Sequence, residues 1–155
     1  MLNIDLHCHS NVSDGTLAPA ELAARAAANG VDVWALTDHD EVGGIAEARK
    51  AAHDLGVRFV AGVEISITFA GKTVHIVGLD IDEQHPDLQG GLASVREGRV
   101  RRGQQIATQL ELTGLSTVFE GALNYAENPS LIGRTHFARY LVELGVQPTV
   151  SDVFR

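Results

Sequence analysis

The sequence predicts an α/β domain built on parallel strands, followed by a region that is entirely helical. Strand-like and helix-like segments alternate in the order β-α-β-α-β over residues 2–65, and further strand-like residues follow. Beyond residue 85 the apolar residues recur at helical spacing. We therefore divide the chain into residues 1–85 and a helical subdomain, residues 86–155. At 155 residues the chain is too short for a complete eight-fold βα barrel, which needs about 200–250 residues.

Several segments of the first half have the composition of strands. The first alternates apolar and polar residues, and the next two are rich in β-branched and aromatic residues. A hairpin is predicted to follow the third strand. The strands are residues 2–6, 31–36 and 57–65, and the hairpin joins residues 66–69 to 73–79 across 70–72.

Helices are predicted between these strands and throughout the second half. Pro19 suits the first turn of the first helix, which ends at Asn29-Gly30. A second helix opens at Gly43-Gly44 and ends at Leu55-Gly56. The spacing of apolar residues predicts three more helices, over residues 88–110, 118–125 and 135–144.

The composition excludes several classes of protein. The chain carries 20 acidic and 12 basic residues, with a net charge of −8, so we expect no stable binding to duplex nucleic acid. No apolar run approaches the ~20 residues that span a bilayer, and the N-terminus does not resemble a signal peptide. Cys8, the single cysteine, fits a reducing compartment, and strand alternation turns it away from its two neighbours toward a packing role. We expect a cytoplasmic protein without a membrane partner.

Histidines and acidic residues gather where the predicted strands of the first half end. His7 and His9 follow the first strand, and residues i and i+2 of an extended chain project to the same side. Loops after parallel strands form one crevice, so residues far apart in sequence converge there. Asp38-His39-Asp40 and Glu64 lie at the ends of the second and third strands, Asp14 lies in the first strand-to-helix loop, and His75 lies within the next strand-like segment. Imidazole and carboxylate together suit zinc, manganese or iron, and a carboxylate such as Glu64 can bridge two ions.

The motifs around these residues resemble those of the polymerase-and-histidinol-phosphatase (PHP) superfamily. The similar segments are Asp5-Leu6-His7-Cys8-His9-Ser10, Ser13-Asp14-Gly15-Thr16, Leu36-Thr37-Asp38-His39-Asp40 and Gly62-Val63-Glu64-Ile65-Ser66. Residues 74–79 and 132–138 are similar to a branch of bacterial stand-alone phosphoesterases that includes 3′,5′-nucleoside-bisphosphate phosphatases. The resemblance implies the N-terminal portion of a distorted (β/α)7 PHP barrel, with residues 86–155 as a helical insertion or lid.

The resemblance also implies roles for the site residues. His7 and His9 would bind one divalent ion, and Glu64 would bridge to a second ion that His75 also binds. Asp14 and His39 would hold a third. Two or three ions are implied in all, with manganese expected and zinc or iron as alternatives. Asp38 and Asp40 would orient the ligands instead of binding metal.

A second set of residues is predicted to contact the substrate. Arg96, Arg99 and Arg102 share a helix face approximately, and the planar fork of arginine matches phosphate oxygens, although most such clusters are solvated surface. The resemblance implies Arg99, Arg134 and His136 as substrate contacts. The expected reaction is hydrolysis of the 3′-phosphate of 3′,5′-nucleoside bisphosphates, with short 5′-phosphorylated RNA ends as further substrates.

Other interpretations stay open. The family pattern has two later motifs, Ala-His-Pro and Gly-Ser-Asp-x-His, and neither occurs in these 155 residues. The resemblance therefore predicts that the chain is the first part of a longer protein and that its own ligand set is incomplete. The alternatives are a histidinol-phosphate-type phosphatase, a non-catalytic metal- or nucleotide-binding remnant, and a polymerase-associated exonuclease domain. The match at residues 133–136 argues against the last.

Overall fold

The computed structural model describes residues 1–70 and 72–155. Within them the chain divides into two compact units, Met1–Val95 and Arg96–Arg155. The first unit contains β1 (Ile4–Asp5), α1 (Pro19–Ala28), β2 (Val33–Leu36), α2 (Ile45–Asp54), β3 (Arg58–Phe69) and β4 (Lys72–Leu79). Helix α3 (Pro86–Glu111) begins in the first unit and continues into the second, which also contains α4 (Val118–Leu123), a 3-10 helix (Pro129–Leu131), α5 (Arg134–Glu143) and α6 (Val150–Val153). The five predicted helices are confirmed; α6, with four residues, is too short to give a periodic signal.

The four strands form one sheet in the order β1-β2-β3-β4. β1 and β2 are parallel, as are β2 and β3. β3 and β4 are antiparallel, with Gly62 opposite Leu79 at one end and Phe69 opposite Lys72 at the other. Parallel strands connected through α1 and α2 confirm the predicted α/β class.

Two differences from the predicted strand boundaries change the location of site residues. β1 contains only Ile4 and Asp5, so His7 and His9 lie in the loop beyond it. β3 continues to Phe69, so Glu64 lies within the strand and not at its end. The reason is a change of partner, because residues 58–61 of β3 pair with β2 and residues 62–69 pair with β4. Gly71, in the predicted hairpin turn, lies outside the described residues.

Gly62 lies at this change of partner. A Cβ atom built on it would lie 2.8 Å from Thr37 Cγ2 and 3.0 Å from the carbonyl oxygen of Leu36. Such separations are too short for a side chain, so glycine allows β3 to lie against the end of β2. That close approach brings the loop after β2 beside the middle of β3, where Glu64 stands.

The core of the first unit packs α1 and α2 against the sheet. Ala23, Ala48 and Ala52 are buried with Trp34 and Leu36 of β2, and their small side chains let both helices approach the sheet closely. At the start of α1 the Ala18 N–H donates to the Glu21 carboxylate at 2.9 Å, which provides half of a capping box although Ala18 has no capping side chain.

The helices of the second unit share a separate apolar core. Its buried members come from α3, α4, the segment before α5, and α5 itself: Ala107, Val118, Ala122, Ile132 and Phe137. Residues 96–155 contain helices and no strand in the structure, as their periodicity predicted. Across the described residues, no helix is both long and apolar enough to span a membrane.

Candidate metal centre

Six of the predicted site residues come together in the first unit. They lie on the loop between β1 and α1, the loop after β2, and strands β3 and β4: His7, His9, Asp14, His39, Glu64 and His75. Their donor atoms form three overlapping groups, and within each group the atoms lie within 4.8 Å of one another. His9, His39 and Glu64 each belong to two groups, so these three residues form the inside of the cluster.

The tightest group contains His7, His9 and Glu64. Glu64 Oε2 lies 2.7 Å from His7 Nε2 and 3.0 Å from His9 Nε2, and the two nitrogens are 3.2 Å apart. Burial alone would raise the pKa of Glu64, but the hydrogen bond with His7 and the charges of His39, His9 and His7 outweigh it and lower this pKa below its usual value. The carboxylate is therefore ionised at neutral pH, the form in which it serves as a ligand.

Asp14 and His75 complete the other two groups. Asp14 lies 3.8 Å from His9 Nδ1 through Oδ1 and 4.0 Å from His39 Nε2 through Oδ2. Glu64 lies 3.8 Å from His39 Nδ1 through Oε2 and 3.6 Å from His75 Nδ1 through Oε1. His9 and His39 thus each turn one ring nitrogen toward Asp14 and the other toward Glu64.

This donor set fits divalent metal ions. Donor atoms that each lie ~2.1 Å from one zinc ion are roughly 3–3.5 Å apart, close to the separations among His7, His9 and Glu64. His9 Nδ1 is buried and forms no hydrogen bond with any described residue. Buried polar atoms nearly always have a partner, and an ion bound by His9 and Asp14 would supply one. The three groups also contain the pairs that the resemblance assigned to separate ions.

The loop that carries Asp14 folds tightly onto His9. The Gly15 N–H donates to the Ser10 carbonyl at 2.9 Å, and a Cβ on Gly15 would lie 2.2 Å from the His9 carbonyl oxygen. No side chain fits at this position. The glycine of the Ser13-Asp14-Gly15-Thr16 motif therefore lets the loop turn sharply enough to bring Asp14 beside His9.

Asp38 and Asp40 are both buried. Asp38 accepts hydrogen bonds from Ser10 and Ser13, and Asp40 accepts one from the Ser66 N–H. Neither carboxylate belongs to the three donor groups found among the described residues. The three serines belong to the motifs, but the sequence predicted no role for them. Their partners lie 25 to 28 residues away, and local spacing carries no signal for such contacts.

Cys8 is partly buried and packs against the apolar core, as predicted. Its Sγ donates to the Ala35 carbonyl at 3.3 Å and accepts from Trp34 Nε1 at 3.0 Å. Burial raises the pKa of the thiol to about 11, so the thiol is neutral at physiological pH. Cys8 therefore ties the loop carrying His7 and His9 to strand β2.

The predicted substrate contacts lie in the second unit. Arg134 is the first residue of α5, and its guanidinium carbon lies 5.9 Å from the centroid of the Phe154 ring. His136 is buried, and its Nδ1 accepts the Gly133 N–H at 3.0 Å. An Arg99 guanidinium nitrogen lies 3.4 Å from the position of a Cβ built on Gly133. All three predicted contacts are thus gathered around the start of α5.

Overlapping groups of histidine and carboxylate donors on the loops and strands of an α/β sheet are typical of metal-dependent hydrolases. The chain belongs to the PHP family, since residues 5–144 match the family model described as the PHP domain. The family predicted from the four motifs is thereby confirmed, and so is the fold class as part of a PHP barrel.

Relatives and solved structures agree with this assignment. The chain is 50% identical, over its full length, to a 3′,5′-nucleoside bisphosphate phosphatase of Chromobacterium violaceum and covers 54% of it. It is 45% identical over 151 residues to a 5′-3′ exoribonuclease of Haemophilus influenzae, with 97% of this chain and 54% of that protein covered. The chain spans about half the length of these relatives.

Two solved structures share the fold. An amidohydrolase from Chromobacterium violaceum with bound sulfate and no metal has a TM-score of 0.92 at 50% identity, over 99% of this chain and 54% of that chain. A protein from Bifidobacterium adolescentis, whose activity as a metal-dependent phosphoesterase is itself inferred, has a TM-score of 0.88 at 30% identity, over 99% of this chain and 54% of that chain.

Proposed function

We propose that the protein is a metal-dependent phosphoesterase that removes the 3′-phosphate from 3′,5′-nucleoside bisphosphates. The observation that carries this proposal is the convergence of six histidine and carboxylate side chains in a chain of the PHP family. The substrate class rests on the relative from Chromobacterium violaceum. The predicted cytoplasmic location and the choice of manganese belong to the same proposal.

We assign the metal ligands by the three donor groups. His7, His9 and Glu64 would hold one ion, His75 would hold a second together with Glu64, and the third would lie with Asp14 and His39. Ions bound in this way neutralise phosphate charge and make a nucleophilic water available at neutral pH.

The chain itself supplies charge and orientation at this centre. Glu64 is buried and ionised, so its negative charge compensates part of the charge of the ions. The rings of His9 and His39, 4.6 Å apart between centroids, lie at the centre of the cluster and hold the two sides at a fixed separation. Asp38 and Asp40 hold the backbone on which these ligands stand.

The phosphate that is retained is assigned to Arg99, Arg134 and His136. Guanidinium groups match phosphate oxygens with paired donors, and the start of α5 adds the positive end of the helix dipole. Because His136 Nδ1 accepts the Gly133 N–H, the neutral ring carries its proton on Nε2, which is then a donor. These three residues would recognise a substrate that keeps one phosphate after the other is cleaved.

Short RNA with a 5′-phosphate is the second candidate substrate. It is favoured by the Haemophilus influenzae relative named as a 5′-3′ exoribonuclease. The two candidates share a terminal 5′-phosphate and differ in the bond that is cleaved, so one site could serve both.

The test is release of inorganic phosphate from adenosine 3′,5′-bisphosphate by the complete gene product in manganese. We expect activity that chelation removes and manganese restores. His9→Ala should abolish it, because His9 belongs to two donor groups. His53→Ala is the matched control, since His53 is an exposed histidine of α2 and its loss should leave the rate unchanged.

Three results would contradict the proposal. Absence of phosphate release in manganese would favour the non-catalytic remnant. Release from histidinol phosphate instead would move the assignment to that substrate. Equal rates for His9→Ala and wild type would overturn the ligand assignment.

A further inference from the structure

We propose that Asp38 and Asp40 are positioning residues that divide the metal centre between them: Asp38 fixes the loop bearing His9 and Asp14, and Asp40 fixes the strand bearing Glu64. This inference rests on the proposed function, because it concerns the same metal centre. Each carboxylate acts on a different part of the metal centre. Both flank one ligand, His39, and neither binds metal itself.

Asp38 accepts hydrogen bonds from the loop between β1 and α1. Its Oδ1 accepts the Ser10 N–H at 2.7 Å and the Ser13 hydroxyl at 2.6 Å, and its Oδ2 accepts the Ser10 hydroxyl at 2.6 Å. Ser10 follows His9 directly and Ser13 precedes Asp14 directly. One buried carboxylate therefore holds both ends of the four-residue segment that separates these two ligands.

Asp40 forms hydrogen bonds with the middle of β3. Its Oδ1 accepts the Ser66 N–H at 2.7 Å, and its own N–H donates to the Glu64 carbonyl at 2.9 Å. Asp40 has a φ of 51°, a left-handed conformation that aspartate tolerates better than most residues. Ser66 Oγ lies 3.2 Å from His75 Nδ1, so the segment held by Asp40 also touches the ligand of β4.

His39 lies between the hydrogen bonds of Asp38 and those of Asp40. The Glu64 N–H donates to the Asp38 carbonyl at 3.1 Å, and His39 and Glu64 form a parallel bridge. The backbone of residues 38–40 thus extends β2 along β3 for one bridge. As a result, the side chain of Asp38 acts on one side of His39 and that of Asp40 on the other.

The two carboxylates are positioned to hold ligands and not to bind metal. Both are buried, and Asp38 uses both oxygens on the serines. Loss of groups that orient metal ligands typically weakens metal binding by ~10–100-fold. If Asp38 and Asp40 act on different sides of His39, removing the contacts of either carboxylate should weaken metal binding mainly through the ligands on that side.

The experiment is a manganese titration of the complete gene product, with free ion followed by electron paramagnetic resonance. Ser13→Ala removes one bond to Asp38 without a change of charge, and Asp40→Gly removes the bond to Ser66 while tolerating the positive φ. Each is made alone, with Asp14→Ala, and with His75→Ala. Asp40→Asn, which keeps an acceptor oxygen, is the conservative variant, and Asp54→Asn on the exposed surface of α2 is the matched control.

We expect Ser13→Ala and Asp40→Gly each to weaken binding by ~10-fold. The effect of Ser13→Ala should persist with His75→Ala and become smaller with Asp14→Ala. The effect of Asp40→Gly should persist with Asp14→Ala and become smaller with His75→Ala, where Glu64 still serves the group with His7 and His9. Asp40→Asn should regain most of the affinity, and Asp54→Asn should bind like wild type.

The outcomes separate this inference from the proposed function. If the wild-type chain binds no manganese, the proposed metal centre itself fails. If wild type binds but the two variants bind equally well, or lose affinity regardless of background, the division between Asp38 and Asp40 is wrong. If Asp40→Gly does not fold, amide hydrogen exchange at Ser66 in the wild-type protein tests the role of Asp40. Slow exchange supports the hydrogen bond from the Ser66 N–H to Asp40, and exchange at the rate of an open amide contradicts it.

Discussion

The interiors of the two units differ in what they bury. Among its described residues, the first unit (Met1–Val95) buries six polar or charged side chains beside its apolar core: Ser10, Ser13, Thr37, Asp38, Asp40 and Glu64. Residues 96–155 bury one, His136, and otherwise only apolar groups. A buried polar group without a partner costs about 1–3 kcal/mol, so the first unit holds its polar residues in a network of hydrogen bonds that fixes candidate metal ligands. The polar interior of the first unit positions candidate metal ligands, whereas the apolar interior of the helical unit stabilises its fold.

The largest expected effect is on the stability of the helical unit. Phe137 is buried among the apolar side chains of α3, α4 and α5, so Phe137→Ala should lower the free energy of unfolding by about 3–5 kcal/mol. Urea denaturation measures this loss. Manganese affinity at a denaturant-free condition should not change, because Phe137 belongs to the apolar core alone.

Phe69→Ala is the matched control for this substitution. Phe69 is 70% exposed at the end of β3, and its loss should change stability by no more than about 0.5 kcal/mol. A similar loss from both variants would remove the contrast between buried and exposed phenylalanines on which the prediction depends.

Next in size is the loss of the shared carboxylate. Glu64→Gln keeps the shape of the side chain but removes the charge that two donor groups share. Manganese binding should weaken by ~100-fold or more, since even the groups behind metal ligands contribute ~10–100-fold; this is about 2.7 kcal/mol. Isothermal titration calorimetry measures it, and Glu111→Gln at the end of α3 serves as the control. Unchanged affinity in Glu64→Gln would show that Glu64 is not a ligand.

A smaller effect is expected behind the metal centre. Cys8→Ala leaves the Trp34 indole N–H without the acceptor it has in the wild type, so unfolding should require about 1–2 kcal/mol less. Cys8→Ser keeps an acceptor and should lose less. Both variants should retain manganese binding. A Cys8→Ala protein with wild-type stability and no manganese binding would make Cys8 a ligand instead of a packing residue.

The smallest effect concerns a polar contact on the surface of the helical unit. The hydrogen bond from Tyr125 to the Glu143 carboxylate raises the pKa of the phenol. A raised pKa means that the bond holds below the ordinary pKa of tyrosine and is lost as the pH rises through the shifted value. In an ultraviolet absorbance titration, Glu143→Gln should therefore ionise Tyr125 at lower pH than wild type does. Identical titration curves for the two proteins would contradict this.

Local features of the fold could be predicted from the sequence, whereas long-range pairing could not. Pro19 and the spacing of apolar residues predicted α1 and α3 because helix signals lie within a few residues of one another. The predicted hairpin between residues 66–69 and 73–79 is confirmed by the pairing of β3 with β4. The length of β3 escaped prediction because one continuous strand changes partner, with residues 58–61 on β2 and residues 62–69 on β4, and local spacing carries no sign of such a change.

The candidate site shows the same limit. His7, His9 and Glu64 could be selected because their chemistry and their places near strand ends point to metal binding. The predicted location of Glu64 at a strand end was wrong, yet the residue still reaches the cluster, because β3 passes beside the loop after β2. Ser10 and Ser13 could not be selected, since a serine in a loop has no distinguishing chemistry until its carboxylate partner, here Asp38, is known.

The central claim is that the six side chains form a metal centre, and the most direct test is the number of manganese ions bound per chain. Equilibrium dialysis followed by metal analysis should find two or three ions bound to the complete wild-type gene product. His9→Ala, which removes a donor shared by two groups, should bind at least one fewer, while His53→Ala should match wild type. No bound manganese at millimolar free ion, or equal numbers in wild type and His9→Ala, would contradict the claim.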